Sequence, residues 1–198
     1  MGADNRPKKG SIIKVDPIRD TKDIKNIKRL LADRPRDLAI FITGINTNLR
    51  ASDLLKIRVG QICHLQPGEH FTVREKKTKK LKNITINKTV LDAMKNLLAT
   101  MPECTDDTFL FLSRKGENKP LNVATLHKMV SGWCAEINLR GNYGSHTLRK
   151  TFGYVHRTVF GTDIPTLMTM FNHSTQRQTL TYLGIQEEEI KDAYLREI

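Results

Sequence analysis

Three cysteines in 198 residues, Cys63, Cys104 and Cys134, are odd in number and widely spaced, and no Cys-x-x-Cys pair marks a zinc site. A disulfide framework and a structural metal are therefore not expected, and the pattern reads as that of a reduced, cytoplasmic compartment. No stretch approaches the ~20 consecutive apolar residues of a membrane span, and the polar segment from Met1 to Lys9 lacks the apolar core of a secretory signal. Neither secretion nor membrane insertion is expected. Internal repeats and low-complexity tracts are also missing, and the length fits one domain that buries a core without staples. Acidic residues are the scarce charge: 21 Asp and Glu stand against 33 Lys and Arg, a formal net charge of +12. An excess of that size points to a polyanion held through its phosphates.

Residues 1–15 carry Arg6, Lys8, Lys9 and Lys14 without helical periodicity and read as a mobile basic arm ahead of a folded domain over 16–198. After a cap at Asp20 or Thr21, Ile24, Ile27, Leu30 and Leu31 fall on one helical stripe, and a second helix follows Pro35. A third helix is expected over about 51–57. The alternations Phe71/Val73 and Ile84/Ile86, on either side of the polar Lys76-Lys77-Thr78-Lys79-Lys80, predict a hairpin, with a third strand near Ile62. Asn87 and Asn122 cap two further helices, and the remainder from His146 onward reads as short helices. In the last of them Ile190, Tyr194 and Ile198 recur every four residues as a narrow apolar stripe. The expected fold class is mainly α with a small antiparallel β-sheet.

The chemistry is concentrated in His146-Thr147-Leu148-Arg149, in His173 twenty-four residues after Arg149, and in Tyr182 nine residues later. Arginine clamps a phosphate bidentately, histidine exchanges protons near neutral pH, and tyrosine can attack phosphorus to give a covalent phosphotyrosine. Three residues apart on a helix, His146 and Arg149 share a face and can address one phosphate. Upstream, Arg50 stands at a loop-to-helix junction with Asp53 three positions on, either a local partner that orients Arg50 or ties down the turn, or a solvated first-turn helix acid. Two guanidiniums, Arg50 and Arg149, meet the charge that builds on the non-bridging oxygens of a phosphodiester under attack. None of these steps calls for a metal or a cofactor.

With an Arg, a lysine-bearing hairpin, a His-x-x-Arg, a second His and a Tyr in this order, the chain resembles the catalytic domain of the tyrosine recombinase, or phage integrase, family. The resemblance covers roughly Asp20 to Tyr194. It implies a site-specific recombinase that cuts and rejoins double-stranded DNA through a 3′-phosphotyrosyl intermediate on Tyr182, with His173 in the position where the family has His or Trp. It also implies a hairpin lysine as general acid; Lys77, in a Lys-Thr pair, is the assigned residue, while Lys76, Lys79, Lys80 and Lys82 contact DNA or, one of them, act in its place. The family usually has Gly where this chain has Asn172, a residue that also tolerates left-handed backbone.

Most integrases carry a separate N-terminal core-binding domain, for which this chain has no room. The resemblance is therefore to an excised catalytic domain or to one-domain recombinases, bacterial or phage-derived, acting as homotetramers on DNA and monomeric when free. Rival readings of the same residues are an inactive DNA-binding regulator, a type IB topoisomerase and a metal-free ribonuclease that uses His146 and His173.

Overall fold

The computed structural model describes residues 15–76, 79–184 and 186–197. All but Val15 of the expected N-terminal arm lies outside them, as do Lys77 and Ile198.

Helix α1, Thr21–Leu30, starts where the Asp20 carboxylate accepts from the Lys22 N–H at 2.7 Å, and it turns Ile24 and Ile27 inward. Helix α2, Pro35–Asn46, begins with a proline whose missing N–H costs nothing in a first turn. Its run from Ala39 to Gly44 is buried on successive positions, which marks it as a central helix rather than an amphipathic one. A short α3, Ala51–Leu54, follows the Arg50 junction and stops before the expected end at residue 57.

The third strand expected near Ile62 does not form. Val59–Gln61 is a 3-10 turn, and the sheet among the described residues has two strands, β1 (His70–Arg74) and β2 (Leu81–Thr85). The Gln61 side chain accepts from the Arg58 N–H at 2.9 Å, so the local turn holds backbone groups that a strand would have offered to a neighbour. The antiparallel register pairs Phe71 with Ile84 and Val73 with Lys82. Because side chains alternate, the face that buries Phe71 and Ile84 also carries Val73 and Lys82, while Leu81 is left 64% exposed.

Asn87 and Asn122 cap α4 (Lys88–Leu98) and α5 (Val123–Glu136) as expected, accepting from Val90 N and Thr125 N. Helix α6, Thr147–Thr158, lies close against α2: a Cβ on Gly44 would stand 2.5 Å from Leu148 Cδ1. That contact fixes the depth at which α6 sits, and with it the next residue, Arg149. Helices α7 (Ile164–Phe171) and α8 (Gln176–Leu183) are tied to α6 by a small separate cluster of Phe152, Leu167, Phe171 and Leu183. The main core runs instead through α1 to α5, the sheet and Leu148. Four buried side chains hold far less than the main core does, so α7 and α8 open at lower cost than the helices packed in that core.

The last helix, α9 (Gln186–Tyr194), carries Glu189, paired with Arg157 of α6, while Ile190 and Tyr194 remain exposed. Among the described residues no helix is long and apolar enough to cross a membrane.

Candidate active site

The segment 48–50 and helices α6 and α7 meet around one guanidinium. Asn48 takes left-handed backbone, φ 52°, and is buried, which turns its carbonyl onto Arg149 NH1. Arg149 NH2 donates to the Phe171 carbonyl at 3.0 Å, and the guanidinium carbon stands 4.9 Å from the centre of the Phe171 ring. Only 4% of Arg149 is exposed, and burial holds its pKa below the usual arginine value. Tyr182 and Glu75 oppose that shift, and the Arg50 charge adds to it.

Helix α7 ends here with carbonyls that have no partner inside the helix. The Met170 carbonyl accepts from Asn48 Nδ2 at 2.6 Å and from Lys82 Nζ at 2.8 Å. With Arg149 on Phe171, two cations thus close the negative end of the helix dipole. Asn172 caps the helix in the left-handed region, φ 56° and ψ 46°, as expected of an Asn standing where the family has Gly. His173 N then reaches back to the Met168 carbonyl at 2.9 Å. The turn sets the His173 ring parallel to Phe171, 5.2 Å away, with its Nδ1 3.0 Å from the hydroxyl of the fully buried Thr179.

Tyr182, one turn further along α8 than Thr179, has its ring 5.4 Å from His173 and 5.1 Å from Phe171. Its hydroxyl is buried, and burial raises its pKa; the Arg149 and Arg50 charges act in the opposite direction. Arg149 is close enough to exert that pull, but among the described residues no bond of ordinary hydrogen-bond alignment reaches the hydroxyl.

His146 precedes the first residue of α6, so it and Arg149 occupy the first turn on the same side of the site. Its pKa is lowered by crowding, then by Arg149, His127, Lys150 and Arg50. Since the residue keeps solvent contact, the cationic neighbours are the firmer cause.

Arg50 NH1 lies 2.5 Å from Glu75 Oε1, an ion pair that lacks the alignment of a hydrogen bond. Asp53 does not bond Arg50. Its buried Oδ1 accepts from the Lys76 backbone N–H at 3.1 Å and from the Ser52 hydroxyl at 3.3 Å, tying the hairpin to α3.

The hairpin lysines divide. Lys76, Lys79 and Lys80 are exposed, whereas Lys82 is half-buried. Its pKa is lowered to about 8, chiefly by burial and then by Arg149, with Arg50 adding to the shift and Glu75 and Asp53 opposing it. Lys77 lies outside the described residues.

Asn48, Glu75 and Thr179 are site residues that the sequence does not announce, and Lys82 stands in it only as one of four hairpin lysines that contact DNA or replace Lys77 as the acid. For Glu75 and Lys82 the signal was in the strands. Carrying the alternation Phe71/Val73 forward reaches Glu75, and carrying Ile86/Ile84 back reaches Lys82. Among the described residues no cluster of His, Cys, Asp and Glu has the arrangement of a metal site.

Residues 20–189 match the model of the phage integrase family. The chain is 34% identical over 181 residues to the probable integrase/recombinase YoeC of Bacillus subtilis, covering 91% of this chain and 95% of that one. It is 28% identical over 163 residues to the tyrosine recombinase XerC of Caldanaerobacter subterraneus, covering 81% of this chain but 44% of that protein. Among solved structures, the XerH site-specific recombinase in a post-cleavage complex with its palindromic difH substrate superposes with a TM-score of 0.75 at 17% identity, covering 93% of this chain and 53% of that one. At that identity the likeness speaks for the fold alone, and the chain spans about half the length of both XerC and XerH. The chain belongs to the phage integrase family, the tyrosine recombinases, enzymes that break and rejoin DNA strands.

Proposed function

We propose that this chain performs site-specific recombination by cutting and resealing duplex DNA through a 3′-phosphotyrosyl bond to Tyr182. The observation that carries the reading is the burial, side by side in one chain, of the Tyr182 hydroxyl and the Arg149 guanidinium, with the Arg50 charge acting on both. Arg149 spends two N–H groups on the Asn48 and Phe171 carbonyls, so a planar donor with five retains N–H groups for a phosphate. Arg50 is the second half of the clamp. His146 and His173 hydrogen-bond the same phosphate, and Asp53 keeps the hairpin beside it.

In the reaction the Tyr182 oxygen bonds to phosphorus, the bond from phosphorus to the 5′-oxygen breaks, and that oxygen leaves with a proton. The buried phenol starts protonated and passes its proton to a site histidine or to water as it attacks, while the two guanidiniums stabilise charge on the non-bridging oxygens. Attack by another 5′-hydroxyl reverses the sequence and joins the strands. Lys76, Lys79 and Lys80, exposed on the hairpin, supply phosphate contacts to the duplex. Assembly as a tetramer on DNA belongs to the same reading, with the exposed Ile190 and Tyr194 as an apolar stripe available to a second copy.

The test is a nicked suicide duplex carrying the cognate site, incubated with the protein in EDTA. A covalent adduct released by proteolysis as a 3′-phosphotyrosyl peptide is the expected result, and a duplex cut without any adduct would overturn the phosphotyrosyl mechanism.

The leaving 5′-oxygen needs an acid. Lys77 is the residue that the resemblance assigns, but the surroundings of Lys82 suit the task, since a lysine lowered to about 8 gives up its proton far more readily than an ordinary one. Adduct formation is therefore expected to fall as pH rises through about 8, where Lys82 loses its proton. Replacing the bridging 5′-oxygen by sulfur, which leaves without a proton, should restore cleavage by Lys82→Ala and remove the alkaline decline. Rescue of Lys77→Ala and not of Lys82→Ala would assign the acid to Lys77.

A further inference from the structure

The carboxylate of Glu75 lies against Arg50, one of the two guanidiniums of the proposed clamp. Glu75 follows the last residue of β1 and points inward with 2% of its side chain exposed. Its Oε1 lies 2.5 Å from Arg50 NH1, and its Oε2 accepts from Asn172 Nδ2 at 3.4 Å. Its charge also raises the pKa of both Arg149 and Lys82. One buried anion is thus felt by the three cations assigned to the phosphate and its leaving group. A buried carboxylate is tolerable only when compensated in this way, and the same is true of the cations in the absence of DNA.

A phosphodiester offers what the carboxylate offers: one negative charge spread over two oxygens, which a guanidinium fork accepts. Both cannot sit on Arg50 NH1 at once, because two anions sharing one donor in a dry site repel each other strongly.

We propose that Glu75 is an internal stand-in for the DNA phosphate, which pairs with Arg50 in the DNA-free protein and is displaced when the scissile phosphate enters. The inference rests on the clamp reading above. Displacement demands that the hairpin, or the Glu75 side chain, give way. The backbone at Glu75 is held by its N–H on the Lys80 carbonyl and by the Lys79 N–H on its own carbonyl, both at 2.9 Å. The same short turn carries the exposed Lys76, Lys79 and Lys80, so DNA that engages those lysines acts directly on the element that holds the plug. A phosphate arriving without those contacts must compete with Glu75 unaided. Glu75 is on this account a specificity-determining residue, raising the threshold for cleavage at phosphates where the hairpin is not engaged.

The experiment compares wild type, Glu75→Gln and Glu75→Asp in the full chain, each checked for folding by thermal melting. The readout is the single-turnover rate of adduct formation, at subsaturating protein, on the cognate nicked duplex and on a scrambled one. Glu75→Gln keeps the shape and removes the charge, and it should form adduct about tenfold faster on the scrambled duplex with a smaller gain on the cognate one. Glu75→Asp, whose shorter arm withdraws the carboxylate from Arg50, should move in the same direction, and it carries the test if the Gln variant does not fold. A tenfold loss in a folded variant, or rates within twofold of wild type on both duplexes, would overturn the proposal. A loss would show Glu75 to be a partner that Arg50 keeps through the reaction. Absence of adduct with wild type on the cognate duplex would sink the recombinase reading itself, so the two failures are distinguishable.

Discussion

Tyr182→Phe abolishes the covalent adduct while leaving DNA binding near the wild-type level. The substitution removes one oxygen and almost no volume from a side chain packed on Phe171 and His173, so the ring contacts at 5.1 and 5.4 Å survive. Among the described residues the hydroxyl has no partner in ordinary hydrogen-bond alignment, and its removal therefore orphans none of their buried groups. Phe is expected to fold as well as Tyr or slightly better. The lost function is the nucleophile, for which nothing nearby substitutes. Tyr194, 87% exposed on α9, is the control, and Tyr194→Phe should retain the adduct. The measurement pairs a denaturing gel for the adduct with a salt titration of DNA affinity. Binding should weaken steeply with salt for both variants, as expected of a protein of net charge +12. A covalent adduct persisting in Tyr182→Phe would overturn the assignment.

Arg149→Ala lowers the single-turnover rate of adduct formation by ~10²–10³-fold or more, the scale on which loss of one preorganised charge-stabilising donor is felt, about 3–4 kcal/mol. This residue also holds the site together, and that separates it from Arg50. Losing Arg149 leaves the Asn48 and Phe171 carbonyls without the donors they have now, at a cost of about 1–3 kcal/mol each. A fall in melting temperature should accompany the kinetic loss. Arg149→Lys distinguishes the two effects: it restores a charge but not a fork, so the melting temperature recovers in part while the cleavage rate stays low. Full recovery of the rate with Lys would mean that charge alone matters and that the two carbonyl contacts are only structural.

The elements and the order of the chemistry could be read along the chain. Asp20, Asn87 and Asn122 announced their helices because a cap is a contact over two or three residues. The hairpin followed from alternation at Phe71, Val73, Ile84 and Ile86, and Asn172 in left-handed backbone from the tolerance of one residue type. The third strand near Ile62 failed for a related reason. Apolar residues there fit a buried 3-10 turn as well as a strand, and the segment pairs with its neighbour only at the single bridge between Arg58 and Phe109 before it turns.

The sequence by itself determined the reagents: two arginines, two histidines, one tyrosine at a telling interval, and a basic hairpin. Tertiary structure alone decided who holds whom. The Asn48 carbonyl meets Arg149 across 101 residues, Lys82 meets the Met170 carbonyl across 88, and Glu75 meets Asn172 across 97. None of these contacts leaves a local pattern, because each depends on how deeply α6 settles on α2 at Gly44 and on where α7 runs out of partners for its last carbonyls. Periodicity is a property of neighbours three or four positions apart, and it tells which face of a helix or strand is buried. Which distant charge waits on that face is settled by packing.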